Sequence, residues 1–136
     1  RLCDDEIRQA SEAEVLVLAS AGRGVVLGRA AAVVLGRHRG FHVRLDGKPP
    51  LRLAQGAMIE AVSVDEARAR MNAADKARTS YVRRLYSVDP ADISLYHLVI
   101  DSTVVPLNTV VDIVLLAATA STSSSRPEAP AAAALR

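Results

Sequence analysis

Three short runs of β-branched and apolar residues alternate along the chain with stretches of helical periodicity. They are Gly24-Val25-Val26-Leu27-Gly28, Phe41-His42-Val43-Arg44-Leu45 and Leu95-Tyr96-His97-Leu98-Val99-Ile100-Asp101. Strands separated by helices cannot be joined as hairpins. They form a parallel sheet with crossover connections, which must be covered by helices on both faces. The expected fold is therefore α/β: a three-layer parallel sheet with flanking helices, thin because it has only three clear strands.

The helices have recognisable starts. Asp4, Asp5 and Glu6 load a first turn with negative charge, which suits a helix N-terminus. A helix over 4–20 follows, with Ile7, Ala10, Glu14, Leu18 and Ala21 on one side. Val15-Leu16-Val17-Leu18 fits a buried strand equally well. Ala30–Leu35 reads as a short helix stopped near Gly36. Pro49 and Pro50 can open a helix reaching about Ala61. Ser63 and Glu66 have capping-box spacing. They start the strongest helix, 64–86, with Ala67, Met71, Ala74, Arg78, Tyr81 and Leu85 along one side. Pro106 opens a last helix with Val110, Val111, Val114, Leu115 and Ala118 facing inward. From Ser121 the sequence STSSSRPEAPAAAALR has almost no large apolar side chain. Such composition cannot offset ordering entropy. A folded unit over 1–119 and a disordered tail over 120–136 are expected.

Composition narrows the chemistry. Half of the 136 residues are hydrophobic but only 3% are aromatic, so the core is aliphatic and no stacking platform for single-stranded nucleic acid is available. The formal net charge of +2 is too mild for a dedicated duplex binder. Cys3 is the single cysteine, which rules out a disulfide framework and a Cys-rich zinc site. Arg29 and Asp112 interrupt the longest apolar stretches, so no membrane span is expected. With no signal-peptide pattern in view, the expected location is cytoplasmic. Two of the seventeen basic residues are lysines, Lys48 and Lys76, and fifteen are arginines. An arginine fork grips phosphate or carboxylate with two bonds; an Arg- and Ala-rich chain also arises from a GC-rich genome.

Ligands of open α/β sheets bind beyond the C-terminal ends of the strands. Arg29 follows the first run directly and either holds an anionic group or is a surface arginine at a helix start. Asp75 and Arg78, three apart, share a helix face. They form a plain ion pair, or Asp75 orients Arg78 toward a phosphate. Arg83 and Arg84 follow on the same helix. Tyr81 and Tyr86 either bracket a base or belong to the core. His42 reads as structural, and His38 and His97 have no metal-ligand partner in sequence.

In this order, VVLGRAA (25–31), HVRLDGKPPLR (42–52), ADKARTSYVRRLYSVDP (74–90) and SLYHLVIDSTVVPLNTVVDIVL (94–115) resemble the cytidylate kinase-like family of nucleoside monophosphate kinases. The resemblance extends over about 95 residues. It implies a P-loop kinase-like fold that moves the γ-phosphate of ATP, with Mg2+, onto CMP or dCMP. By position, Arg29 would hold the acceptor's phosphate. Asp75 and Arg78 would belong to the catalytic lid, with Arg83 as a further phosphate-binding residue. The family carries its Gly-rich loop ahead of the point where this sequence begins. Ser20-Ala21-Gly22-Arg23-Gly24 precedes a strand rather than following one. A chain truncated on the N-terminal side, with an incomplete sheet and no activity alone, is the expectation. The other reading is a non-catalytic α/β remnant that binds an anion, a nucleotide or a protein, with an exposed sheet edge available for a homodimer.

Overall fold

The computed structural model describes residues 3–22, 24–28, 30–36 and 39–123. Helix α1 covers Asp4–Ser20. Its first turn is closed by the Glu6 carboxylate, which accepts the Cys3 backbone N–H at 2.7 Å. The strand alternative for 15–18 is removed, because those residues continue the helix. A helix satisfies its own backbone, whereas a strand there would need a sheet neighbour. Its buried face is one position off the expected stripe: Ser11 and Val15 point inward, and Leu18 is exposed.

Residues 24–28 form no strand. Val25 and Leu27 are each 95% exposed, and the segment is bounded by Gly24 at φ 138° and Gly28 at φ 76°. Those left-handed turns break the extended path at both ends, which corrects the first expected strand. Helix α2 spans Ala31–Leu35 and packs against α1.

Among the described residues the sheet has two strands, β1 (Val43–Asp46) and β2 (Leu98–Asp101). They are parallel, with Val43 opposite Leu98 and Asp46 opposite Asp101. A mixed helix and strand fold is therefore correct, but the three-layer sheet is not. With 24–28 outside it, the sheet is too narrow to make a layer between two helical faces. The histidines close one end of the ladder. The His42 N–H donates to His97 Nδ1 at 2.9 Å, and His42 Nε2 meets the Gly36 carbonyl at 2.7 Å. His42 is buried and structural, as expected.

The crossover from β1 to β2 runs through α3 (Pro49–Glu60) and α4 (Val64–Tyr86). Pro49 and Pro50 begin α3, where a missing N–H costs nothing. Ser63 caps α4, its hydroxyl accepting the Glu66 N–H at 3.2 Å. Leu53 of α3, Ala67, Val82 and Leu85 of α4 and Ile100 of β2 are buried, with Val15 of α1. Among the expected α4 stripe, Ala67 and Leu85 are buried, whereas Ala74 and Arg78 face solvent.

Helix α5 spans Leu107–Ser123. Val110 is 3% exposed, but Val111 and Leu115 are exposed, against expectation. Val114 and Ala118 are half-buried, so the inward column is Val110, Val114 and Ala118 at four-residue spacing, and Val111 and Leu115 lie on the next column round. The helix continues past the expected boundary at 119 as far as Ser123. The rest of the expected tail, 124–136, lies outside the described residues.

Candidate functional site

Both strands end in aspartate, and the register sets Asp46 beside Asp101. Each carboxylate is engaged locally. Asp101 Oδ1 accepts the Thr103 N–H at 3.0 Å and the Thr103 hydroxyl; that hydroxyl, followed by the N–H, holds its carboxyl below the usual range. Asp46 Oδ1 accepts the Gly47 N–H at 2.8 Å, and Asp46 Oδ2 pairs with Arg44 at 3.2 Å. Gly47 lies so close to Thr103 that a Cβ on it would stand 2.4 Å from Thr103 Cγ2. A side chain at 47 would thus push on the residue that orients Asp101.

Between these strand ends and the α3–α4 pair lies an open cleft of about 370 Å³, with Asp46, Arg52, Gln55, Arg70, Met71 and Ser102 among its lining residues. Gln55 Nε2 donates to the Ser102 carbonyl at 3.2 Å, tying α3 to the turn after β2. Arg70 bridges Glu60 and Glu66.

Three charged side chains meet where α3 faces α4, and one of them, Arg52, also lines the cleft. Arg52 donates to Asp75 through both terminal nitrogens, Nη1 to Oδ2 at 2.9 Å and Nη2 to Oδ1 at 2.8 Å. Arg78 donates to the same Oδ1 at 3.0 Å. The hydrogen bonds and charge of Arg52, with smaller help from Arg78, hold the Asp75 carboxyl below the usual carboxylate range against the opposing effect of burial. The side chain of Arg78 is 64% exposed and that of Arg52 is 32%. The cluster carries two positive charges and one negative charge, with its most accessible cation on the outside. A guanidinium held by one bond keeps donors free for a phosphate or carboxylate.

The expected site residues are placed unequally. Asp75 and Arg78 come together. Arg83 does not join them: it pairs with Asp89 at 2.8 Å, on another side of α4. Arg29 lies outside the described residues. Tyr81 and Tyr86 pack edge to face with centroids 6.4 Å apart, so they face each other rather than bracket a base. Arg52 is the residue that sequence reasoning missed. It closes the HVRLDGKPPLR segment, but no local spacing links it to a carboxylate 23 residues away.

Among the described residues, no three His, Cys, Asp or Glu side chains converge to hold a metal ion. Asp46 and Asp101 come together only as a pair, and both are already engaged. Magnesium at phosphoryl-transfer sites takes one or two carboxylates together with substrate phosphates, so among the described residues this pair at the strand ends would hold one alongside a bound nucleotide. Among them, no helix is long and apolar enough to cross a membrane.

Comparison with known proteins gives a consistent result. The model of the cytidylate kinase-like family matches residues 1–104, which includes α1 to β2 and stops short of α5. The cytidylate kinase of Methanopyrus kandleri is 40% identical over 57 residues, a stretch covering 40% of this chain and 30% of that protein. The match thus spans under a third of the relative's length. No solved structure matches.

Proposed function

Because this chain belongs to the cytidylate kinase-like family, we propose that it binds the phosphate of a nucleoside monophosphate, CMP or dCMP, at the α3–α4 cluster. The observation that carries this reading is Arg78, an exposed guanidinium held by one bond to a carboxylate that a second arginine already neutralises. In the complete reaction of the family, ATP with Mg2+ supplies the transferred phosphoryl group. Arg78 binds phosphate oxygens, Asp75 supports it, and Arg29 is the proposed partner on the acceptor side. Arg83 is a more distant contributor. Phosphoryl transfer relies on positioning and on neutralising charge spread over phosphate oxygens, and arginines on a rigid helix pair suit that work. No Gly-rich loop follows a strand into a helix in this sequence, so CDP formation is not expected from this chain alone.

Calorimetric titration with CMP and with cytidine tests the reading. CMP binds, cytidine binds at least about tenfold more weakly, and Arg78→Ala loses most of that difference, as expected for a charge-assisted phosphate contact of about 1.5–3 kcal/mol. Equal binding of CMP and cytidine refutes it, and ATP-dependent CDP formation refutes the expectation of inactivity.

A second reading, an interaction module, is favoured by α5. Leu107, Leu115 and Leu116 there are all more than half exposed, and among the described residues each strand pairs on one edge only, which suits a homodimer. Sedimentation equilibrium separates a dimer from a monomer directly.

A further inference from the structure

The role of Arg52 follows from how one carboxylate is shared between two arginines. We propose that Arg52 is a positioning residue: from α3 it grips Asp75 with two bonds, so that Arg78 is tethered by one bond and can transfer to an anion. This rests on the phosphate-binding reading of the same cluster.

Arg52 spends both terminal nitrogens on Asp75, at 2.8 and 2.9 Å. That planar two-bond geometry fixes the carboxylate and is the stronger of its two attachments. Arg78 reaches only Oδ1, which already accepts from Arg52 Nη2. An oxygen shared between two donors attracts each of them less than one it serves alone. The charges agree with the geometry. Arg52, Asp75 and Arg78 together leave one net positive charge for an anion. Without Arg52, Asp75 and Arg78 become a neutral pair, and the carboxylate faces an incoming phosphate with Arg78 fully engaged. Asp46 adds a further negative charge near Arg52.

The experiment uses the full chain and CMP as the probe. Arg52→Ala is expected to weaken CMP binding about tenfold. Arg52→Ala combined with Asp75→Asn is expected to recover to within about threefold of wild type, because the carboxylate that captures Arg78 is gone. Arg52→Ala with Asp46→Asn, which removes the same charge away from Arg78, is expected to stay weak. Arg52→Lys, which keeps the charge without the fork, falls between wild type and Arg52→Ala. No recovery with Asp75→Asn, or equal recovery with Asp46→Asn, overturns the proposal. Thermal melts confirm that each variant is folded at the assay temperature.

If wild type does not bind CMP, the functional reading fails on its own, and titration of the Asp75 carboxyl carbon by NMR still decides the positioning role. Arg52→Ala must return that carboxyl toward the ordinary range by more than Arg78→Ala does. An equal or smaller return overturns it.

Discussion

The substitution Gly47→Ala tests how tightly the strand ends are built. A methyl carbon on Gly47 would stand 2.4 Å from Thr103 Cγ2, 3.0 Å from Thr103 Oγ1 and 3.1 Å from Asp101 Oδ1. Carbon atoms pack at about 3.5–4.0 Å, so Thr103 or the backbone must move by roughly 1 Å. Thr103 is β-branched and stiff about χ1, and its hydroxyl is committed to Asp101. Rotating it away forfeits a hydrogen bond to a charged group. Overpacking of this kind costs about 1–3 kcal/mol, and a lost bond to a carboxylate falls in a similar range; partial relaxation brings the expected loss to about 2 kcal/mol. Gly56 supplies an internal control. It lies within α3, and a Cβ there would meet no atom within 4 Å. Gly56→Ala should therefore stabilise the helix by about 0.5–1 kcal/mol. Urea unfolding followed by circular dichroism reads both. With a slope of about 2 kcal/mol per molar, the two midpoints should separate by more than about 1 M, on opposite sides of wild type. Shifts of the same sign, or a Gly47→Ala midpoint equal to that of wild type, refute the close approach of the turns after β1 and β2.

Two further predictions concern the core and its charges. Ile100→Ala removes a side chain that is 7% exposed, whereas Leu116→Ala removes one that is 75% exposed. The first should cost about 2–5 kcal/mol and the second less than about 0.5 kcal/mol, and comparable urea shifts would contradict the placement of Leu116 on the exposed face of α5. The carboxyls of Asp75, Asp89, Asp92 and Asp101 are all held below their ordinary range, by Arg52, the Ala91 N–H, Ser94 and Thr103 respectively. A depressed folded value means that the folded state binds fewer protons at acid pH. Stability from these groups is thus present above about pH 5 and is lost as pH falls below about 4. Urea midpoints measured from about pH 5 downward through the carboxyl range should fall with acid, and Arg52→Ala should reduce the slope; a slope unchanged by that substitution would show that Asp75 contributes nothing to it.

The helices were legible wherever a local signal starts or stops the chain. Ser63 with Glu66 marks the start of α4, Pro49-Pro50 marks α3, and the acidic triplet 4–6 marks α1. These signals act within a turn, so no tertiary partner is needed to read them. The run 24–28 was not legible as a loop, because a strand exists only with a neighbour to pair with, and its glycines turn the chain before and after it. The faces of α1 and α5 also escaped. Whether Val15 or Leu18 points inward depends on where α4 approaches, and on α5 the neighbouring columns 110/114/118 and 111/115 are equally apolar in sequence, so only packing decides which one turns inward. The same division holds at the site. Asp75 and Arg78 are three residues apart and share a face by helical geometry alone. Arg52 reaches them only because α3 and α4 pack side by side.

The central claim is that Arg78 is the group that meets a nucleotide phosphate. Guanidinium 15N–1H resonances of Arg78, assigned by comparison with Arg78→Lys, report it directly during a titration with CMP. The Arg78 signals should shift saturably with CMP and not with cytidine. Arg78 signals that stay in place while CMP shifts other residues would contradict it.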